Sequence, residues 1–346
     1  RITTDLEYPG SHDLNSSNRP VRIRMPGGVA GAQPIMAAPY ADPCAKGHAQ
    51  CGLWTCDNMN PIVRLACGDM RCELAPHLGA SIAGLWRGEH AVLRSTPANA
   101  LGEVRLSGCY PLVPFSNRVG HAKLLWNGTS HPLVQNFAPE PHAIHGVGWL
   151  RPWQVLEASD TFALLSLEHR PDADWPFAFG CSQAFRLGPD ALEITLSGTN
   201  QSDQPAPFGL GWHPYFVKRA GSHIRFSASG RWEMGSDNLP THRTASQGLD
   251  CACAGLAVDH CFDGWQGDVA LRDENMSVRI TSSLKHLVVF TNGSRDFVAV
   301  EPVSHVNNAV NMAGSDPRQL QRLGVRILQP GESLNATMRI ETGPAL

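Results

Sequence analysis

An excess of charge of one sign is missing from this 346-residue chain: 28 Lys and Arg stand against 31 Asp and Glu, a formal net charge of −3 with histidine neutral. Without a clustered basic excess, neither nucleic acid nor an anionic membrane surface is an expected partner, and a small neutral ligand fits better. Long apolar runs are also absent, since no stretch approaches the roughly 18 residues needed to span a bilayer. No charged-then-apolar leader opens the sequence, so cytoplasmic placement is the expectation; because the chain starts at Arg1 rather than Met, its natural start can lie upstream. The ten cysteines are too few for a disulfide scaffold and show no repeated C-x-x-C spacing, so they read as mostly reduced core or loop thiols. What remains, 42% hydrophobic and 17% charged residues, is the composition of a folded globular chain and excludes disorder as its main state.

Two regions differ in pattern. Residues 1–58 keep no helical or strand period and are punctuated by proline from Pro9 to Pro43, which predicts an irregular N-terminal extension. Within it Cys44, Cys51, Cys56 and the nearby His48 have no usual structural-zinc spacing, and unpaired thiols on an irregular segment are expected. Over 59–346 short period-2 runs dominate: Phe162 to Leu167, Leu192 to Leu196, Ile224 to Phe226, Val278 to Ile280 and Leu334 to Ile340. Turn residues separate them at Gly68-Asp69, Gly188-Pro189-Asp190, Asp273-Glu274-Asn275 and Asn292-Gly293. The best helix signal is short, with Asp316 as cap, Pro317 at the first position, and Leu320 and Leu323 three apart. Strands without alternating long helices exclude a Rossmann or barrel plan and predict an all-β, antiparallel sandwich in a single domain.

Four segments place ionisable or aromatic side chains beside Gly and Pro where a strand pattern asks for neither: Pro114 to Arg118, His142 to Trp149, Gly211 to Phe216 and Val300 to His305. Pro214 pushes His213 into extended backbone between Trp212 and Tyr215, which suits a fixed proton carrier, with a satisfied core histidine as the competing reading. Alternation puts Glu301 on the face opposite Val298 and Val300, toward a cavity or solvent, as a base or as a salt-bridge partner. His142 and His145 form H-x-x-H in a glycine-rich loop. Arg118 beside Asn117 offers a planar fork and an amide for hydroxyl or carboxylate oxygens, or an ordinary surface ion pair. Trp149, Trp153 and Trp212 supply flat faces for a sugar ring or for the core.

In chain order these segments resemble the aldose 1-epimerase, or galactose mutarotase-like, family from about Ile62 to Thr342. The resemblance rests on Leu74-Ala75-Pro76-His77-Leu78-Gly79-Ala80, Asn117-Arg118, His145-Gly146, Trp212-His213-Pro214-Tyr215-Phe216, Asp259 and Val300-Glu301-Pro302. It implies a galactose mutarotase-like β-supersandwich with a sugar in an open cleft. By matching position it implies Glu301 as general base, His213 as general acid and His145 assisting at the ring oxygen. Asn117, Arg118 and Asp259 would hold hydroxyls, and Trp212 would contribute to the sugar site. Val147 and Trp212 stand where galactose-preferring members carry Gly and Asn, which marks a different branch and leaves the sugar open.

Anomer interconversion needs a proton removed from the C1 hydroxyl and one delivered to the ring oxygen, so one base and one acid suffice. The expected starting state is a Glu301 carboxylate with a His213 imidazolium, and no metal or cofactor is required. Three rivals carry distinct residues: a metal enzyme using His142, His145, His213 and Glu301 or His305, a glycoside hydrolase using Asp259 and Glu301, and a non-catalytic sugar-binding module. A phosphosugar epimerase is disfavoured at this level, because Arg118 is the only basic side chain adjacent to the motifs.

Overall fold

The computed structural model describes residues 62–314 and 316–345. The predicted N-terminal extension and its Cys44, Cys51, Cys56 and His48 lie outside the described residues.

Antiparallel sheets dominate, as the period-2 pattern requires. Nine strands form one sheet in the order Gln154–Ala158, Phe162–His169, Phe179–Leu187, Ala191–Asn200, Ser333–Pro344, Met276–Ser282, Asp268–Arg272, His223–Phe226 and Leu249–Ala252. Within it Leu192, Ile194 and Leu196 are buried while Glu193 and Thr195 face solvent, and Ala336, Met338 and Ile340 repeat the alternation on the neighbouring strand. A second sheet runs Pro240–Ala245, Gly230–Met234, Val258–Asp263, His286–Thr291, Phe297–Val303, Gly211–Trp212 and Pro111–Leu112, with Tyr215–Val217 also pairing to Phe297–Val303. A four-stranded sheet begins with the hairpin Val63–Cys67 and Met70–Ala75, turned at Gly68-Asp69 with Gly68 at φ +57°.

The two large sheets share one core. Phe226 and Phe262, one from each, meet edge to face with centroids 5.0 Å apart, and the Trp212 indole N–H donates to Gln183 Oε1 across the sheets at 2.9 Å. The sandwich expected from sequence is therefore the fold. The short helix forms at Pro317–Arg322, with the Asp316 carboxylate accepting from the Arg318 N–H. A further helical turn at Ala309–Ala313 has no capping signal and is not foreseen by the pattern. Among the described residues six cysteines are free thiols, five of them buried, and no helix is long and apolar enough to cross a membrane.

The strand Phe297–Val303 carries Glu301. It is buried along its whole length, with His286–Thr291 on one side and Tyr215–Val217 on the other. Val298 and Val300 belong to the core, while Phe297 and Glu301 line a cavity. Glu301 is consequently held on dry, hydrogen-bonded backbone, only 2% exposed.

Candidate active site

A cavity of about 580 Å³ opens on that face of the second sheet, large enough for a monosaccharide and its first waters. Glu301, His213, His145, Asn117, Arg118 and Asp259 all line it, although they come from five separate stretches of chain.

At its floor Glu301 Oε1 lies 3.1 Å from His213 Nε2. Glu301 Oε2 and His213 Nδ1 are buried without a hydrogen-bond partner among the described residues. Unsatisfied buried polar atoms are costly, and where they persist they mark functional positions. The Tyr215 hydroxyl is 3.4 Å from His213 Nε2 and 2.9 Å from the Tyr110 hydroxyl, while the Tyr215 ring stacks on His213 with centroids 4.3 Å apart. Burial drives both members of the Glu301–His213 pair toward their neutral forms: the carboxyl rises well above the usual carboxylate range, helped by Asp259, and the imidazole falls well below its own. Burial therefore disfavours the charged pair expected from sequence as the resting form. The reason is desolvation, which penalises two separated charges more than one proton shared along a 3.1 Å contact.

His145 is built differently. The two-residue strands Arg118–Val119 and Ala143–Ile144 pair, which brings the loops at Asn117 and His145 together. The Asn117 N–H donates to His145 Nδ1 at 3.1 Å, and the His145 N–H donates back to the Asn117 carbonyl at 2.9 Å. Both residues sit in the left-handed region, at φ +55° and +64°. Strain of about 1–3 kcal/mol each is the kind retained at functional sites. Burial, reinforced by Arg118, pushes the His145 ring down to about 3, so it is neutral, and with Nδ1 accepting its proton resides on Nε2. His145 is a fixed neutral hydrogen-bond donor, set edge to face against His213 with centroids 5.2 Å apart.

Gly146 closes this loop at φ +69°, where an added Cβ would lie 2.1 Å from the Val113 carbonyl oxygen. Gly146→Ala should lower unfolding stability by at least ~2 kcal/mol, from left-handed strain plus displacement of the Val113 backbone. Urea denaturation at neutral pH checks it, and an unchanged midpoint would show that the loop has slack.

Arg118 uses its guanidinium fork on Glu140, Nε to Oε2 at 3.3 Å and Nη2 to Oε1 at 3.0 Å, while Nη1 donates to Asn117 Oδ1 at 3.2 Å. That partner holds the Glu140 carboxyl below the usual range. Asp259 is pushed upward by burial, against the pull of Arg118. Glu140 is an acid that sequence inspection missed: it lies in a loop outside the four motif segments, and only the pairing at Arg118–Val119 and Ala143–Ile144 brings it in.

One site residue is placed differently from expectation. Trp212 is 1% exposed, on the far side of its strand with its N–H on Gln183, so it braces the two sheets and does not meet a ligand in the cavity. Its neighbour His213 takes the cavity face, and adjacent residues on extended backbone point oppositely. Trp149 and Trp153 are likewise buried, though Trp149 stacks on the cavity residue Tyr110 at 5.4 Å. His142 and His305 turn away from the cavity: His142 Nδ1 accepts from the His121 N–H, and His305 Nε2 accepts from the Ser116 N–H with Nδ1 on the Val306 carbonyl. Of the side chains named for a metal site, His145, His213 and Glu301 share the cavity while His142 and His305 do not, and among the described residues no group of three ligating side chains is arranged to hold a metal ion. The cavity is also richer in arginine than the motifs suggested, for Arg94, Arg105 and Arg295 line it with Arg118.

A family profile described as aldose 1-epimerase matches residues 64–341. The chain belongs to the aldose 1-epimerase family. Among its relatives in this family is the uncharacterized protein YphB of Escherichia coli strain K12, 31% identical over 298 residues that cover 81% of this chain and 98% of that one. YihR, also uncharacterized and from the same strain, is 26% identical over 72% of this chain and 85% of its own. The crystal structure of a candidate aldose 1-epimerase from Escherichia coli K12 superposes with a TM-score of 0.74 at 28% identity, covering 82% and 99% of the two chains. A galactose mutarotase-like protein from Clostridium acetobutylicum shares the fold at a TM-score of 0.71 and 19% identity, covering 81% and 94%.

Proposed function

We propose that this protein interconverts the α and β anomers of an aldose, with Glu301 as base and His213 as acid. The observation that carries this is the 3.1 Å contact between Glu301 Oε1 and His213 Nε2 on the floor of a monosaccharide-sized cavity. The pair holds one proton between them. A sugar bringing hydroxyls into the dry site favours moving that proton from the carboxyl to the imidazole, which creates the working carboxylate and imidazolium without a proton from solvent. The carboxylate then takes the C1 hydroxyl proton as the imidazolium protonates the ring oxygen, and the C1–ring oxygen bond breaks to give the open aldehyde. After rotation about C1–C2, reclosure runs the same transfers backward. The His145 Nε2–H is a neutral donor available to a sugar oxygen, and Asn117, Arg118 and Asp259 border the rest of the cavity.

Polarimetry of freshly dissolved α-D-glucose and α-D-galactose tests the reading, with and without a chelator. Chelator-resistant acceleration is expected with at least one aldose across a panel of sugars. Release of nitrophenol from nitrophenyl glycosides instead would favour hydrolysis by Asp259 and Glu301. Binding without acceleration would leave a sugar-binding module.

Glu140→Gln should raise KM about tenfold while changing kcat less than about threefold, because it loosens the fork that aims Arg118 and Asn117 and leaves the proton pair intact. Steady-state polarimetry separates the two constants, and a fall in kcat alone would contradict this division of labour.

A further inference from the structure

The four arginines of the cavity are not alike. Arg118 is committed to Glu140, and Arg105 pairs with Glu103. Arg94 and Arg295 make no ion pair with a carboxylate among the described residues. Both instead lie against the same aromatic wall: the Arg94 guanidinium is 3.9 Å from the Tyr215 ring centre and 5.1 Å from that of Phe297, and Arg295 is 5.8 Å from Phe297 and 5.9 Å from Phe290. Arg94 is anchored there by its Nε and Nη2 on the Ser107 carbonyl, with Nη2 also on the Arg105 carbonyl. It is therefore held in place by neutral acceptors, with its charge left uncompensated. Tyr215 stacks directly on His213 with ring centroids 4.3 Å apart, so this positive pole begins one ring outward from the proton pair.

Two guanidiniums without a carboxylate partner among the described residues, Arg94 half-buried and Arg295 exposed at the rim, give this sugar-sized cavity a positive wall that a neutral hexose, carrying no charge, leaves unused. Resting on the anomer-interconversion reading for the orientation of the sugar, we infer that the preferred substrate carries an anionic substituent, a carboxylate, sulfonate or phosphate, on the part of the ring remote from C1, received between Arg94 and Arg295. Planar forks on an aromatic backing suit oxyanions of that kind.

Equilibrium binding of 1,5-anhydrohexitols tests this without requiring turnover, since they lack the anomeric hydroxyl. Calorimetry would compare gluco- and galacto-configured anhydrohexitols with their 6-phosphates, 6-sulfonates and uronates, using wild type, Arg94→Gln and Arg295→Gln, with inorganic phosphate as control. At least one anionic class should bind about tenfold or more tighter than its neutral parent, as a charge-assisted contact predicts. The ratio should shrink with salt and shrink again in both variants. Arg295 is exposed, so its variant keeps the test valid even where Arg94→Gln folds poorly. Equal or weaker binding of every anionic compound, or binding no tighter than inorganic phosphate, overturns the inference. A preserved ratio in a protein that interconverts no anomers would sink the activity and keep the anion site; active interconversion of neutral sugars with no ratio would do the reverse.

Discussion

Glu301→Gln should fold like the wild type and interconvert anomers at least ~10² times more slowly, with sugar affinity nearly unchanged. The amide has the shape of the carboxyl and can keep a hydrogen bond to His213 Nε2, but it cannot accept the C1 hydroxyl proton. Nor can it lend a proton to His213, so one substitution removes the base and also blocks the step that charges the acid. Polarimetric kcat and KM on the same preparation decide it, and a variant retaining more than about a tenth of the wild-type rate would remove Glu301 from the base role. His213→Asn should likewise lose kcat rather than affinity.

The pair also sets the shape of the pH profile. Catalysis needs one proton on the two groups together. Burial pushes His213 down and Glu301 up, so the state with one proton extends both below the ordinary histidine range and above the ordinary carboxylate range. The ratio kcat/KM should therefore stay level through neutrality, where an ordinary exposed histidine would bend the curve near ~6.5. A clear inflection at that value would show that His213 titrates as a free imidazole.

How far these features can be read from sequence depends on how local their causes are. The strand Leu192 to Leu196 and the orientation of Glu301 follow from period-2 alternation alone, and both appear as expected. The same rule, applied from His213 to its neighbour, places Trp212 on the opposite face; the resemblance to sugar-site motifs led away from it. Glu140, Arg94 and Arg295 could not be found in this way. They lie on loops outside the motif segments, Glu140 two residues before His142 and Arg295 five before Val300, and what brings them to one cavity with Arg94 is sheet pairing over long sequence separations, such as Tyr215 opposite Ala299. Backbone conformation was partly legible: Gly146 signalled a special turn, whereas the left-handed Asn117 and His145 are apparent only once their reciprocal hydrogen bonds are seen.

Acid should unfold this domain through its buried histidines, at pH values where most of its carboxylates are still charged. His145 and His305 are pushed by burial to about 3 and about 4, and His286 is lowered as well. Two of them have a hydrogen-bond reason not to protonate: His145 Nδ1 accepts from Asn117, and His305 Nε2 accepts from Ser116, so a proton there would break a buried hydrogen bond. In the unfolded chain the same rings titrate near ~6.5. These are depressed values in the fold, so their contribution is complete above ~6.5 and is lost as pH falls toward 4, at about 1.4 kcal/mol per pH unit for each ring. His145 and His305 together give about 3 kcal/mol per unit, enough to consume a typical domain stability of about 5–15 kcal/mol within a few units. Urea unfolding at pH 7, 6 and 5 measures the slope, and equal free energies at 7 and 5 would contradict it. The Glu301–His213 pair drops out of this slope between about 4.5 and 6.5, because folded and unfolded forms both carry one proton there, on Glu301 or shared in the fold and on the histidine when unfolded. Glu301→Gln removes that cancellation. At neutral pH the wild type must take up a proton at Glu301 on folding and the variant need not, so the variant should be the more stable there. Its lead should shrink by about 1.4 kcal/mol per unit as pH falls toward 5, because His213 is then uncompensated. The substitution that abolishes turnover should thus stabilise the protein at pH 7 and steepen its acid lability, a combination that a merely structural glutamate would not produce.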